Sequence, residues 1–452
     1  MKLALVVPTY RKNFDVTPPL NIAVLAAYVR QEISGLQVRI FDGTLPHLNV
    51  LAELDAFNPD VVGVTATTTQ AKTAYRLLDT LKDSGVLTVI GGVHASVLPE
   101  EASRHADCVV VGEGEIALVN ILKLYQAGQK VPKIVVGEPF SNLDELPIPA
   151  YDLLDMEYYL GHTKPEIGKL SAPMMRLITS RGCNFRCPFC YNSTRTSKVR
   201  YRSAEKVLEE VQFLYERYHA RSVWFYDDEF VANKKRLRNF IHLLRESGLN
   251  QKLSWACMSR VDSIDDSTAK LLKENGCVQL FFGIESGMPK TLAYLKCNTV
   301  TLQQVETALR ICHKYGLAVD GGFVFGAPKE TIRDMQESWS WINRHRKLLY
   351  GVSYNVLTPY PGSQLWVELE DKENVNYFNL GERALLKNLT LVDHAIKPSD
   401  FAGFLQGKEK IVWFGSQFAA EVPFWRIMLH KTSLLILLRY PRDFVEIVSS
   451  SM

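Results

Sequence analysis

The sequence predicts an α/β protein with two parallel sheets in series: a Rossmann-like, doubly wound N-terminal sheet, a partial (β/α)6 barrel of the TIM type, and a small, mainly helical C-terminal region. Three observations carry this expectation. Short β-branched runs alternate with amphipathic helical segments before residue 145, and the alternation resumes near residue 173. Between the two series, the proline-rich connector LDELPIPAYDLL (143–154) breaks the pattern. The second series offers about six strands, short of the eight in a closed barrel.

In the first series, LALVVPTY, VRIFDG, VVGVTA, LTVIGG, CVVVGEG and KIVVGE read as strands. PLNIAVLAAYVRQEI, LNVLAELDAF and QAKTAYRLLDTLKDSG have the apolar spacing of helices. Such an alternation implies a parallel sheet covered on both faces, with ligands at the carboxyl ends of its strands. The loops there are Thr65–Gln70, Gly91–Ser96 and Gly112–Glu115; none is a GxGxxG fingerprint, which argues against a nicotinamide cofactor. In the second series the strands are MMRLITSRG, SVWFYDDEF, KLSWACMSR, VQLFFGIESG, AVDGGFVFGAP and GVSYNVLTPYPG. The resulting divisions are a front domain over 1–145, a linker over 146–172, the barrel over 173–370 and the C-terminal region over 371–452. That last region is rich in aromatics and Leu, with Lys and Arg interspersed. It reads either as a helical tail packed on the barrel or as a surface in peripheral contact with a membrane or a lipid-like substrate.

Composition narrows the function. Over 452 residues, 47% hydrophobic and 22% charged residues are ordinary globular values, which excludes disorder and low-complexity scaffolds. A net charge of +3 is too small for a committed nucleic-acid binder, so no nucleic-acid partner is expected. No stretch approaches the roughly 18 apolar residues of a membrane span. The opening MKLALVVPTYRK is too short an apolar run for a signal peptide and reads as a buried strand. Eight cysteines are too sparse for a disulfide scaffold, in keeping with a reducing, cytoplasmic setting.

Three of the cysteines stand together. Cys183, Cys187 and Cys190 form CxxxCxxC within RGCNFRCPFCYN, directly after a predicted strand, where barrel enzymes carry their catalytic groups. Soft thiolates select iron–sulfur or zinc. Three on one loop can hold three irons of a cubane and leave the fourth open to bind and reduce a small molecule. A structural zinc normally takes four protein ligands. Cys108, Cys257, Cys277, Cys297 and Cys312 are isolated, with no spacing that supplies the fourth. A zinc knuckle or three buried thiols is the blander alternative.

The triplet is followed, in order, by YRSAEKVLEEV (201–211), FYDDEF (225–230), SRVD (259–262), FFGIESG (281–287), GGFVFGAPKET (321–331) and TPYPGS (358–363). With this series, the barrel resembles the radical S-adenosylmethionine (radical SAM) superfamily. PPLNIAVLAAYVR, GGVHAS and VGEGE ahead of it resemble the subgroup with an N-terminal cobalamin-binding-type domain. The resemblance spans about residues 1–370.

It implies a radical SAM enzyme in which Cys183, Cys187 and Cys190 bind a 4Fe–4S cluster, SAM chelates the fourth iron, and a reductant such as flavodoxin or ferredoxin supplies the electron that cleaves SAM. The ammonium of SAM wants acceptors, for which Asp228 and Glu229 are placed at a strand end. Its carboxylate wants a guanidinium, which Arg260 offers in bidentate form. Its ribose suits Glu285 and Ser286, and its adenine Gly326–Pro328 and Tyr360–Gly362. Without the resemblance, the acidic pair is an ordinary cap or solvated loop, and Arg260 a partner for Asp262 or Asp228.

In the front domain the resemblance implies cobalamin. The DxHxxG loop that often ligates cobalt is matched only by Asp42 and His47, five apart and without a glycine at the required offset. That departure speaks against histidine ligation, and the subgroup includes members that bind cobalamin without it. Thr65 to Thr69, Thr67 among them, then lie beneath the corrin, while Gly91 and Gly92 admit the nucleotide tail. His94 reads as a loop histidine bonded to backbone. The expected reaction is methyl transfer to an unactivated carbon or phosphorus centre of a small-molecule or lipid-like substrate. Cobalamin-assisted radical cyclisation, ring rearrangement or oxidation is the alternative, and a non-catalytic iron–sulfur or cobalamin sensor the third reading. Gln279, Asp320, Tyr354 and Asn355 either face the substrate or satisfy one another.

Overall fold

A computed structural model describes residues 1–9, 17–162, 169–195 and 198–369. The expected C-terminal region over 371–452, with its membrane reading, lies outside the described residues. Among the described residues no helix is long and apolar enough to cross a membrane.

The front sheet is built from β1 (Lys2–Val7), α1 (Leu20–Glu32), β2 (Gln37–Asp42), α2 (Val50–Phe57), β3 (Val61–Thr65), α3 (Ala71–Leu81), β4 (Leu87–Gly91), α4 (Val93–Val97), α5 (Pro99–Ala102), β5 (Cys108–Gly112), α6 (Glu115–Gln126) and β6 (Ile134–Gly137). All pairings are parallel, in the order β2-β1-β3-β4-β5-β6. The pleat sorts the apolar residues of β1 to opposite sides. Leu3, Leu5 and Val7 pack with α1 and α6, while Ala4 and Val6 pack with α2, α3, α4 and α5. The sheet is therefore doubly wound, as the uniformly apolar strands predict. One loop differs from its sequence reading. Beyond Gly92 the segment is helical, because Gly92 turns the chain at φ +95° and α4 then buries His94 and Ala95. Five residues are too few to show a helical period.

The connector is bolted to the front sheet and to a helix of the barrel. The Tyr159 hydroxyl, on α7 (Met156–His162), donates to Asp42 at the end of β2 over 2.6 Å. The hydroxyl of Tyr151 donates to Glu210 of the barrel over 3.0 Å.

The barrel comprises β7 (Met174–Leu177), the short β8 (Ser180–Arg181) and β9 (Arg200–Tyr201), α8 (Ala204–Tyr218), β10 (Ser222–Phe225), α9 (Lys234–Glu246), β11 (Ser254–Ser259), α10 (Asp266–Glu274), β12 (Cys277–Glu285), α11 (Pro289–Leu295), α12 (Leu302–Lys314), β13 (Ala318–Phe325), α13 (Ile332–Arg344), β14 (Gly351–Val356) and α14 (Gln364–Glu368). Its six parallel strands run β14-β13-β12-β11-β10-β7, so the barrel is partial. Ser203, Asn233, Asp265, Thr301 and Thr331 each cap the helix that follows by accepting a backbone N–H, which is why those helices start where they do. Phe225, Trp255, Leu280 and Phe282 join the core on the helix side. By alternation Trp224, Met258, Phe281 and Gly322 face inward.

Gln279 and Asp320 bond to each other near the starts of β12 and β13, far from the carboxyl rim, and Gln279 also accepts from the Lys169 amide at 2.8 Å. Tyr354 stacks among Phe323, Phe325 and Trp339 in the outer core. Of the four polar residues weighed for a substrate role, Asn355 is the exposed one, on the opposite face of β14 from Tyr354.

Candidate active site

The cysteine loop leaves the first barrel strand through a short antiparallel ribbon in which Arg181 pairs with Arg200. Gly182 follows at φ +93°. Cys183, Cys187 and Cys190 are free thiols, each partly exposed. The Cys190 amide donates to the Cys187 carbonyl over 2.9 Å, and the Asn192 amide reaches the Cys190 sulfur over 3.4 Å. Burial pushes the Cys190 thiol up to about 11 and raises Cys183 and Cys187 as well. Such thiols stay protonated until a metal displaces the proton. Among the described residues no three His, Cys, Asp or Glu side chains converge on one ion. Three thiols on one loop are the donor set for three corners of an iron–sulfur cubane whose fourth iron stays open.

Around this loop the rim residues divide by orientation. Asp228 is exposed and accepts from the Asn192 side chain over 2.9 Å, which places it against the cysteine loop. Glu229 turns the other way. It is buried, accepts the Arg260 amide at 2.6 Å and the Ser259 hydroxyl at 3.2 Å, and burial pushes its carboxyl up to about 7. Arg260 is held bidentately by Asp262 at 2.9 and 2.8 Å, donates to Thr299 at 2.9 Å, and stacks on Phe185 of the cysteine loop at 3.5 Å. Its fork is thus already occupied by Asp262, one of the two partners weighed from the sequence.

Glu285 ends β12 at φ +68° and forms a buried ion pair with Lys296 at 2.8 Å. Burial alone would lower the Lys296 ammonium, but the Glu285 carboxylate outweighs it and holds it above its usual value. A Cβ on Gly283 would collide with the Glu285 carboxylate, so this glycine makes room for the pair. Ser286 points to the helix layer instead, bonded to the Ser338 hydroxyl at 2.9 Å and the Met288 amide at 3.1 Å. Gly326 and Ala327 donate to Glu330 over 2.7 and 3.1 Å. The 360–365 segment closes over the cysteine loop, with Thr194 bonded to the Gly362 carbonyl at 2.6 Å and the Leu365 amide to the Pro188 carbonyl at 2.9 Å.

The front domain contributes a cavity of about 390 Å³ at the carboxyl edge of its sheet. Val89, Val110 and Leu118 give it apolar walls, and Ile178 and Arg181 of the barrel help close it. Glycines keep it open. A Cβ on Gly91 would meet only Val110 at 3.8 Å, and one on Gly114 only Leu25 at 3.6 Å. Gly92 is constrained differently, since a Cβ there would come within 2.9 Å of Thr65 Oγ1 and the Ala66 carbonyl. This apolar cradle suits the nucleotide base of a cobalamin tail. Thr65 lines it and accepts from Asn21 at 3.2 Å, whereas Thr67 is exposed and bonded to Thr69 and Gln70 outside the lining. Neither histidine lines it. His47 is 3.1 Å from Asp155 of the connector. The buried His94 contacts the side chains of Thr68 and Glu101 at 3.4 and 3.1 Å, which corrects the expected backbone partner.

Sequence reasoning passed over Asp227, which accepts from Thr179 and Ser180 just before the cysteine loop. The period-two alternation Val223, Phe225, Asp227 was the available signal, since it marks Asp227 as the buried member of the acidic run. Lys296 and the acids of VGEGE, Glu113 and Glu115, also went unassigned. Cys257, Cys277 and Cys312, isolated in sequence, are all buried in one core cluster.

Comparison with known proteins agrees with this architecture. Residues 177–342 match the model of the radical SAM superfamily, and residues 13–122 that of the B12 binding domain. An uncharacterized methyltransferase of Pyrococcus horikoshii, PH0819, is 34% identical over 395 residues, covering 81% of this chain and 82% of the relative. The bacteriochlorophyllide d C-8(2)-methyltransferase of Chlorobaculum tepidum is 29% identical over 342 residues, 71% and 72% of the two chains. The radical SAM methyltransferase TsrM of Kitasatospora setae, solved with cobalamin and a [4Fe-4S] cluster, superposes with a TM-score of 0.66 at 18% identity, covering 82% of this chain and 78% of that one. The chain belongs to the radical SAM superfamily, in the group whose barrel follows a B12-binding domain, and is a cobalamin-dependent radical SAM enzyme whose cofactors are a 4Fe–4S cluster, SAM and cobalamin.

Proposed function

We propose that the protein transfers a methyl group to an unactivated carbon of a bulky apolar small molecule held in the barrel lumen. The observation that carries this is the inner wall near the rim. Ile178 and Tyr226 are large apolar side chains left 48% and 38% exposed there, and Trp224 stands 5.4 Å from the Tyr226 ring. Partly buried Met258 and Phe281 continue the wall, and a Cβ on Gly322 would crowd the Phe281 ring at 3.0 Å. Exposed apolar surface inside a concave site marks where an apolar ligand is recovered from water. Ile178 also lines the front-domain cavity, so a molecule in the lumen would adjoin whatever fills that cavity. The relative named for methylating bacteriochlorophyllide d supports an apolar acceptor.

In this reading Cys183, Cys187 and Cys190 hold the cluster, and Asp228, Arg260 and Glu285 border the SAM that caps it. Glu229 orients Arg260 through its backbone, and Ser286 serves the fold. Thr65, Gly91 and Gly92 belong to the cobalamin cradle, with Thr67 at its margin. When bound, the cluster and SAM supply a hydrogen-abstracting radical and cobalamin the methyl group, while the chain orients them and excludes water. A flavodoxin or ferredoxin is the reductant this chemistry calls for. Eight free cysteines suit a reducing cytoplasm.

The test is anaerobic reconstitution of the whole chain with iron, sulfide and hydroxocobalamin, followed by turnover of SAM with a reductant and bacteriochlorophyllide d. Methyl transfer predicts about four irons and one cobalt per chain, and comparable yields of S-adenosylhomocysteine and 5′-deoxyadenosine. Deoxyadenosine without S-adenosylhomocysteine would turn the reading toward cyclisation or rearrangement. Four irons with no cobalt would remove methyl transfer.

A further inference from the structure

The cysteine loop has a neck, and the front domain grips it. Arg181 and Arg200 are register partners on the two strands of the ribbon that closes the loop's base. Arg181 lies two positions before Cys183. Both arginines leave the barrel and reach the VGEGE turn of the front sheet. Arg181 bonds Glu115 at 2.5 Å and Glu113 at 2.9 Å. Arg200 takes the same Glu113 carboxylate and also donates to the Phe140 carbonyl over 2.5 Å. Glu115 is only 6% exposed and Glu113 17%, so these are shielded, charge-assisted pairs in fork geometry. Burial would raise Glu113, but Arg200 and Arg181 outweigh it and hold its carboxyl below the usual range. Gly112, Glu113, Gly114, Glu115 and Arg181 all line the front-domain cavity as well.

We infer that Glu113 and Glu115 are positioning residues of the cysteine loop, and that filling the front-domain cavity tightens this grip on the loop. The inference rests on the reading that the loop holds the cluster and the cavity takes cobalamin. A ligand seated among Gly112–Glu115 restricts the turn that carries both acids, and the acids restrict both strands of the neck. Groups bonded directly to metal ligands typically matter 10–100-fold for metal affinity, and these acids, acting one step further out through Arg181 and Arg200, fall at the lower end of that range. An interface that only joined two domains would have no reason to make cluster retention depend on the cavity.

The experiment follows iron release to a chelator from the anaerobically reconstituted full chain, with and without hydroxocobalamin. Wild type is compared with Glu115→Gln, Glu113→Gln, Glu115→Asp and Arg181→Lys. Arg30→Ala serves as control, because it breaks the exposed Arg30–Asp152 pair away from the neck. Hydroxocobalamin should slow release from wild type and from the control. Glu115→Gln and Glu113→Gln should release iron about tenfold faster and lose the response to hydroxocobalamin, with Glu115→Asp recovering part of it. Arg181→Lys keeps the charge without the fork, so it should behave like the Gln variants even where one of those fails to fold. Variants that release iron at the wild-type rate, or respond to hydroxocobalamin by the wild-type factor, would overturn the inference. Wild type that takes up no iron would overturn the cysteine assignment along with it. Wild type with iron but no bound cobalt would overturn the coupling and leave the cysteine assignment standing.

Discussion

Asp227 and Thr179 are joined twice, one carboxylate oxygen of Asp227 accepting both the amide and the hydroxyl of Thr179, at 3.0 and 2.9 Å. The same oxygen accepts from Ser180. Arg236 closes the group by donating to Thr179. The carboxyl end of β10 is thereby fastened to the residues that launch the cysteine loop, and Thr179, Ser180 and Asp227 are all buried.

Asp227→Ala should destabilise the fold on the order of 3 kcal/mol, because it leaves a buried amide and hydroxyl without acceptors. Asp227→Asn keeps one acceptor oxygen and should cost less. Burial raises the Asp227 carboxyl, which offsets part of the cost of losing its charge. Thermal melting of the two variants, with iron per chain after reconstitution, checks both steps. Ala should melt lowest and carry the least iron; equal melting of Ala and wild type would show that the loop needs no such anchor.

Asp227 also shows how far the sequence could be read. The existence of the strands and their parallel arrangement were legible, because β-branched runs alternate with helical periods. The cysteines were legible because metal chemistry dictates residue type and spacing together. Asp228 and Glu229 look alike in FYDDEF, yet one is exposed against the cysteine loop and the other buried under Arg260. Which way a carboxylate turns beyond a strand end depends on what packs against it, and that partner lies 31 positions on for Glu229 and 36 positions back for Asp228. Glu113 and Arg181 are 68 positions apart, and only the docking of the two sheets joins them. Short helices such as α4 escape periodicity altogether.

Gly91 and Gly92 should separate binding from folding. Gly91→Ala adds a methyl that the cavity can hold, so its melting should stay near wild type while hydroxocobalamin binding weakens. Gly92→Ala must keep φ +95° and push against Thr65 and Ala66, so it should lose stability by about 1 kcal/mol or more. Optical titration with hydroxocobalamin, alongside melting curves, reads the two effects. Unchanged binding by Gly91→Ala would mean that nothing occupies the space beside Val110.

Glu330 should make stability fall as pH rises. Burial pushes its carboxyl up to about 7 from an ordinary 4.5, only partly offset by the amides of Gly326 and Ala327. Below 4.5 the folded and unfolded chains both hold the proton, so the group contributes no pH dependence there. Between 4.5 and about 7 the folded state alone keeps it, and stability declines with every step up in pH. Above 7 the full cost of a buried charge is present, about 3 kcal/mol for a shift of this size. Glu330→Gln retains an acceptor oxygen for both amides and carries no proton to lose. Its melting temperature should exceed that of wild type at pH 8 by several degrees and lie close to it at pH 5. A gap that is the same at both pH values would mean that Glu330 is already ionised in the folded protein, and that the 326–330 turn holds a carboxylate rather than a carboxylic acid.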